Sequence, residues 1–352
     1  MSSLLFLIFT RQRKIKTVLI LLGLSTILSV LFHFYYFDKT KELKAAKIEL
    51  IKEKAELQGE KYEALKSSHL KLVSSFLEDM FTEDSLASKD IKRLSDLSKH
   101  LEPQNVTISQ QDSLVQQKLS PGRGQLLKGI LLLDLDTMTL SKIFDAVSFK
   151  YADLRGADLR KSYLKGINLS RCNLSEAKLS GADISQANVS KSILINAQFI
   201  NSNLSNSALT YSNLSWSNLD SVDLKHAKID GAILNYINLS HARCQQASLR
   251  WASLRSSIII AANFKAVDLF GSTISYSNLK HTSLKYSRLR KADFLGTSLK
   301  NISLDSVVVD KDWIKELKGL NHPDIEWLKD NFIIVKKTHE FFPKDKFFLK
   351  PN

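Results

Sequence analysis

Ala152-Asp153-Leu154-Arg155-Gly156, followed at once by Ala157-Asp158-Leu159-Arg160-Lys161, is the stretch that decides the fold. The same unit of small, polar, large, polar, polar runs without a slip from Phe149 to Val309. Every fifth residue from Phe149 makes 33 positions, of which 32 are Leu, Ile, Val or Phe and one is Cys244. Two residues before each lies a second column, Val147 to Val307, in which 26 positions are Ala, Ser, Thr or Cys. No straight element can use this period: residues five apart point to opposite faces of a strand and diverge by about 140° around a helix. The backbone must therefore turn once per unit, so that both columns point inward and stacked coils bury them in one continuous core. The frequent Asp or Asn before the large residue suits such corners, because those side chains cap nearby backbone groups.

Units of the form A(D/N)LxG and A(D/N)LxK in unbroken tandem resemble the pentapeptide repeat family, over a little under half of the chain. In that family four units make one coil of a right-handed quadrilateral β-helix, so the resemblance implies an all-β solenoid of just over eight coils over residues 147–309. At about 4.8 Å per stacked strand the rod would be roughly 40 Å long. Some soluble members of the family mimic B-DNA with an acidic surface and protect DNA gyrase. Residues 142–309 instead carry 21 Lys or Arg against 11 Asp or Glu, most of the +14 net charge of the whole chain, which argues against mimicry.

The remaining sequence divides around this block. Residues 1–16 form a basic tail with Arg11, Arg13, Lys14 and Lys16, and residues 17–37 contain no Lys, Arg, Asp or Glu. At 1.5 Å per residue those 21 positions span about 31 Å, one bilayer core, so a single transmembrane helix is expected, with Phe34 to Phe37 in the far interface. The short basic tail favours placing the repeat block on the extracytoplasmic side. Residues 38–102 are rich in good helix formers and read as a helical stalk. Leu43, Leu50, Leu57 and Ala64 recur at sevens, but Glu53 and Glu60 break a clean heptad, so the stalk reads either as a self-associating coiled coil or as a solvated spacer. Residues 103–123 read as a linker holding a short helix, with Pro121-Gly122-Arg123-Gly124 as a boundary. Residues 124–146, with Leu126, Leu127 and Ile130 to Leu133, suit a cap on the open end of the solenoid. Residues 310–352 read as a short α-helical C-terminal cap carrying Trp313 and Trp327, then a tail of Lys and Phe folded against it.

Chemistry is sparse. Cys172 and Cys244 fall on inward columns more than three coils apart, too far for a disulfide. His241 and His281 share a column but lie about 10 Å apart, too far to hold one metal. No phosphate-binding glycine loop, HExxH, CxxC or nucleophile elbow occurs, so no enzyme, cofactor or metal site is expected. The unbroken register does map the outside, since residues 20 apart stack on one side. The side centred on Phe149, Leu169, Val189 and Leu209 carries Lys150, Arg171, Lys191, Lys228, Arg250, Arg288, Arg290 and Lys291 against Asp230 and Asp268, a balance of +6. Its corner column reads Tyr151, Arg171, Lys191, Tyr211, Gly231, Trp251, Gly271, Lys291, and the next corner column holds Trp216, Tyr236 and Tyr276. The candidate binding face is thus Lys150, Tyr151, Arg171, Lys191, Tyr211, Arg250, Trp251, Arg288, Arg290 and Lys291. Cations interleaved with aromatics suit anionic lipid, anionic glycan or acidic protein, with nucleic acid a further alternative. The competing reading is a solvated side of a purely structural spacer.

Overall fold

The computed structural model describes residues 59–78, 88–110, 113–319, 322–339 and 342–352. The expected basic tail, the span 17–37 and the stalk up to residue 58 lie outside the described residues; among those described, no helix is long and apolar enough to cross a membrane. The chain divides into two compact units, Met1–Tyr62 with Thr107–Val115, and Glu63–Val106 with Gln116–Asn352. In the first, residues 59–62 are helical and the described parts of 107–115 are extended. The second contains the solenoid and everything that follows.

Each side of the solenoid makes one parallel bridge to the residue 20 places on, as in Asp153 with Asn173, Asp158 with Lys178, Tyr163 with Asp183 and Asn168 with Asn188. Four units therefore close one coil. At most corners the amide of a small-column residue donates to the carbonyl of the preceding large residue, as Ala152 does to Phe149 at 3.1 Å, while Ile237, Ser257 and Ser277 donate instead to the hydroxyl one coil on. The residue just before that amide takes the left-handed conformation: φ is +65° at Tyr151, +61° at Arg171 and +59° at Trp251. Such turns require a positive φ there, which costs a residue other than glycine about 1–2 kcal/mol. The ladder offsets that cost, with amides such as Leu154 donating to Asn173 at 2.8 Å on the next coil.

Both inward columns are buried apart from half-buried Ser162 and Ala292, with Phe149, Phe199, Phe264 and Phe294 the largest side chains in them. Serine is admitted in the small column because its hydroxyl donates to the preceding large residue's carbonyl, as Ser207 does to Leu204 and Ser212 to Leu209, both at 2.6 Å. A buried hydroxyl with a partner carries little penalty. The Asp or Asn column caps the corners as its chemistry suggests: the Asn173 side-chain oxygen accepts from the Ser175 amide at 3.0 Å and its hydroxyl at 2.7 Å. Cys172 and Cys244 are free and buried, and burial pushes both thiols up.

Helix α1 covers residues 59–78, and α2 is Ser88–His100. Strands β1, Gln104–Gln110, and β2, Ser113–Leu119, form a two-stranded sheet, so residues 103–123 correct the expected linker and short helix. Ser120 then bridges to Ala152 and adds the first rung to the solenoid. Nor is Pro121-Gly122-Arg123-Gly124 a boundary: it is the first turn of α3, Pro121–Leu131, with Ser120 as N-cap accepting from the Arg123 amide. Proline belongs there because the first helical amide has no partner to lose. Helix α4, Thr137–Ala146, starts on Asp136, which accepts from the Met138 and Thr139 amides.

Of the residues 124–146 expected to cap the coil end, Leu126, Leu127 and Ile130 of α3 and Leu140, Ile143 and Phe144 of α4 are buried in the core that runs on through the solenoid, whereas Leu132 is exposed to solvent. The cap is larger than expected. Val73 from α1 and Leu94 from α2 share that core, so residues 63–78 are packed structure and not a free stalk. The buried Arg123 guanidinium ties these parts together, donating to the carbonyls of Ser98 at 3.0 Å and Lys150 at 2.9 Å.

At the other end α5, Trp313–Gly319, and α6, Ile325–Asn331, bury Trp313, Leu317 and Leu328. The cap is not purely helical. Strand β3, Val308–Val309, pairs antiparallel with β5, Phe342–Pro351, which pairs antiparallel with β4, Phe332–His339. Leu349 exchanges backbone bonds with Ser306 and Val307 of the last coil at 3.1 and 2.9 Å. The expected tail is therefore a strand that satisfies the backbone groups a solenoid leaves open at its end.

Candidate basic and aromatic face

The coil geometry places the ten predicted residues on one side, but in two groups. Near the first coils, Lys150, Arg171 and Lys191 are exposed, and the Arg171 guanidinium lies over the Tyr151 ring with 5.8 Å to its centroid. About four coils further along, roughly 19 Å by strand spacing, Arg250, Trp251, Arg288, Arg290 and Lys291 gather around Phe270. Tyr211 stands between the groups, and its ring lies on the bare Cα of Gly231, where a Cβ would come within 2.6 Å.

Phe270 is the hub of the second group, and the sequence reading missed it. The Arg250 guanidinium lies 5.5 Å and the Lys291 ammonium 5.7 Å from its ring centre, while Trp251 meets it edge-on at 5.2 Å. Arg288 pairs with Asp268 at 3.1 Å and Arg290 with Asp310 at 2.7 Å. Arg250, Asp268, Phe270, Arg288, Arg290 and Val308 line a groove of about 290 Å³. Asp310 and Lys311 continue the same side past Val309, giving nine cations against three carboxylates, which leaves the balance at +6. The signal for Phe270 was present as a large aromatic outside the inward columns, directly before a corner glycine.

A second cavity of about 380 Å³ lies at the N-terminal end, lined by Glu63, Lys66, Lys128, Asp153, Arg155 and Glu176 among others. Its charges balance, and most are paired within it: Glu63 with Lys66 at 3.0 Å and Asp153 with Arg155 at 2.7 Å. Burial pushes the Lys128 ammonium down. His241 pairs with Asp220 at 2.9 Å, and no cluster of metal-ligating side chains occurs among the described residues.

The family described as "Pentapeptide repeats" matches in 8 copies, over residues 152–190, 197–235, 232–271 and 262–301. No curated protein matches the chain. Among solved structures, HetL, a pentapeptide repeat protein involved in heterocyst differentiation regulation from the cyanobacterium Nostoc sp. strain PCC 7120, is 29% identical over 46% of this chain and 82% of its own, with a TM-score of 0.27. QnrB1, a plasmid-mediated fluoroquinolone resistance protein, is 18% identical over 48% of this chain and 83% of its own, with a TM-score of 0.36. A pentapeptide repeat protein from the Arabidopsis thaliana thylakoid lumen is 23% identical over 32% of this chain and 69% of its own, with a TM-score of 0.22.

Proposed function

We propose that this chain, whose residues 152–190 and 197–301 match pentapeptide repeats, is a membrane-tethered, non-catalytic scaffold that holds an anionic partner along its basic and aromatic side. Pentapeptide repeat proteins are generally non-catalytic. The tether is the uncharged segment 17–37, with residues 38–58 continuing as a stalk through which copies self-associate and with the repeats on the extracytoplasmic side.

One observation carries the binding reading. Arg250 and Lys291 are held in place by the Phe270 ring, and among the described residues their side chains form no ion pair, although Asp230 and Asp310 accept from their backbone amides at 2.9 and 3.0 Å; their neighbours Arg288 and Arg290 are paired with Asp268 and Asp310. Two positioned cations whose charged ends make no ion pair, beside an exposed Trp251, are a site that an anionic group completes. The test is retention of the full-length protein, in detergent, on immobilised heparin across a salt series. Retention at physiological ionic strength is expected, with earlier elution of the Arg250→Ala, Lys291→Ala double variant because exposed charges are screened by salt. A wild-type protein that is not retained, or a double variant that elutes with it, leaves the spacer reading in its place.

A further inference from the structure

The side of the solenoid that adjoins the basic face has no assigned role, although it carries most of the exposed apolar surface. It is bounded by the corner column of Tyr211 and Trp251 on one edge and by that of Trp216, Tyr236 and Tyr276 on the other. The floor between them presents Asn213, Ile233, Ser253 and Thr273. Of 13 large apolar or aromatic residues exposed among the described residues, 7 lie on this one side or its corners. Three extended residues separate the edges, about 10 Å, and the aromatics span about three coil spacings, roughly 14 Å.

Three of the rings rest on corner glycines one coil on. Tyr211 lies on Gly231, Trp251 on Gly271 and Tyr276 on Gly296, and in each case a Cβ one coil on would meet the ring within 2.6 Å. Trp216 and Tyr236 stack at 4.1 Å with planes 7° apart. Positive φ alone does not call for these glycines, because other corners such as Lys191 and Trp251 hold the same conformation with a side chain. Half of the six corner glycines thus serve to bed an aromatic whose outer surface stays open to solvent: Tyr211 is 68% and Trp251 59% exposed.

We infer that this side is a membrane-contact surface, which lays the solenoid flat against an anionic phospholipid bilayer. Trp and Tyr are the side chains that favour the headgroup layer, where an amphipathic ring meets both water and acyl chain. The centre of the surface is uncharged apart from Arg255; its carboxylates lie at the two ends, Asp153 and Glu176 in the first coils and Asp293 in the last. Along the Tyr211 and Trp251 edge stand Arg250 and Lys291, positioned to meet lipid phosphates as the rings enter the interface. Of the carboxylates on that edge, Asp268 and Asp310 are paired with Arg288 and Arg290, and Asp230 accepts from the Ser248 hydroxyl and the Arg250 amide, so the edge keeps an excess of cations. A row of rigid rings along one straight side matches a planar surface. The inference deepens the proposed function by naming the anionic partner as lipid, and it rests on that reading for the attraction supplied by Arg250 and Lys291.

The experiment reads tryptophan emission of the full-length protein on vesicles whose acyl chains carry bromine, a quencher that acts by contact. Of the four tryptophans, Trp216 and Trp251 are exposed, whereas Trp313 is buried and Trp327 is half-buried in the C-terminal cap against Phe332. On phosphatidylglycerol vesicles emission should fall by the share that Trp216→Phe, Trp251→Phe removes, and that double variant should show no further loss. Phosphatidylcholine vesicles should quench less, as should Arg250→Ala, Lys291→Ala on phosphatidylglycerol. Unquenched emission on phosphatidylglycerol, or equal quenching after loss of Trp216 and Trp251, overturns the inference. So does a dimer in detergent that Trp216→Ala, Tyr236→Ala dissociates, because a second copy then covers the surface. Failure of heparin retention with quenching intact removes the general polyanion reading and keeps the bilayer, while retention without quenching does the reverse.

Discussion

A corner glycine in this solenoid meets one of two demands, and paired substitutions separate them. Gly156 has φ +62° and open space where a Cβ would stand, so Gly156→Ala carries the backbone cost alone, about 1 kcal/mol. Gly271 has φ +67° and the Trp251 ring 2.4 Å from that point, so Gly271→Ala must also displace the ring, adding about 1–3 kcal/mol. Urea unfolding of the two variants gives the difference, and only Gly271→Ala should change the Trp251 emission. Equal losses would show that the ring shifts freely and is not bedded on the glycine. The five-residue period made the corner columns legible, including Tyr151, Arg171, Tyr211 and Trp251. It could not show that a side chain leans along the axis by one coil, since that depends on the space left by the residue 20 places on. Phe270 escaped for the same reason: its partners Arg250 and Lys291 are set by the stacking of coils and by ring geometry, neither of which is local in sequence.

Among the elements, α3 shows how the same residues are read one way in sequence and used another way in three dimensions. Proline and glycine mark turns, which made Pro121-Gly122-Arg123-Gly124 look like a boundary. Here Pro121 starts the helix, and the glycines are points of close approach. A Cβ on Gly124 would stand 2.0 Å from the Asp153 carbonyl oxygen, and one on Gly122 or Gly129 would meet His69 and Leu101 or Leu77 within 2.8 Å. The first contact is backbone against backbone, so no side chain can move aside. Gly124→Ala should therefore cost more than Gly156→Ala, about 3 kcal/mol or above. Hydrogen exchange should place the damage locally, with amides of Leu154 and Asp153 losing protection while Leu214, three coils away, keeps it. Uniform loss along the rod would mean that the cap and coils unfold as one unit. Strands β1 and β2 were hidden for a different reason: PQNVTISQQDSLVQQKLS is too polar to show an apolar alternation, and Ser120 joins the solenoid through backbone bonds that carry no side-chain signature.

On the scale of the whole molecule, a stack of coils is nearly one-dimensional, so its surfaces divide into sides that present side chains and ends that present backbone. The need for a lid at each end follows from the repeat alone, but whether helix or strand supplies it does not, since FFPKDKFFLKP lacks the polar alternation of an edge strand. At the far end β5 does the covering: Leu349 bonds Ser306 and Val307, and Phe348 lies opposite Val308 in a small buried cluster. Removing residues 342–352 should therefore open those backbone groups to another chain's end. The expected result is association that grows with protein concentration, seen by light scattering in detergent, together with a lower Tm. The side surfaces are untouched by this truncation, so heparin retention per chain should persist in the associated material. A truncated protein that stays at the mass of the intact one would assign the lid to α5 and α6, whose Trp313, Leu317 and Leu328 already reach the same core. In that case β5 would serve only to hold β4, and the end of the solenoid would be closed by side chains where the backbone pairing now suggests a strand.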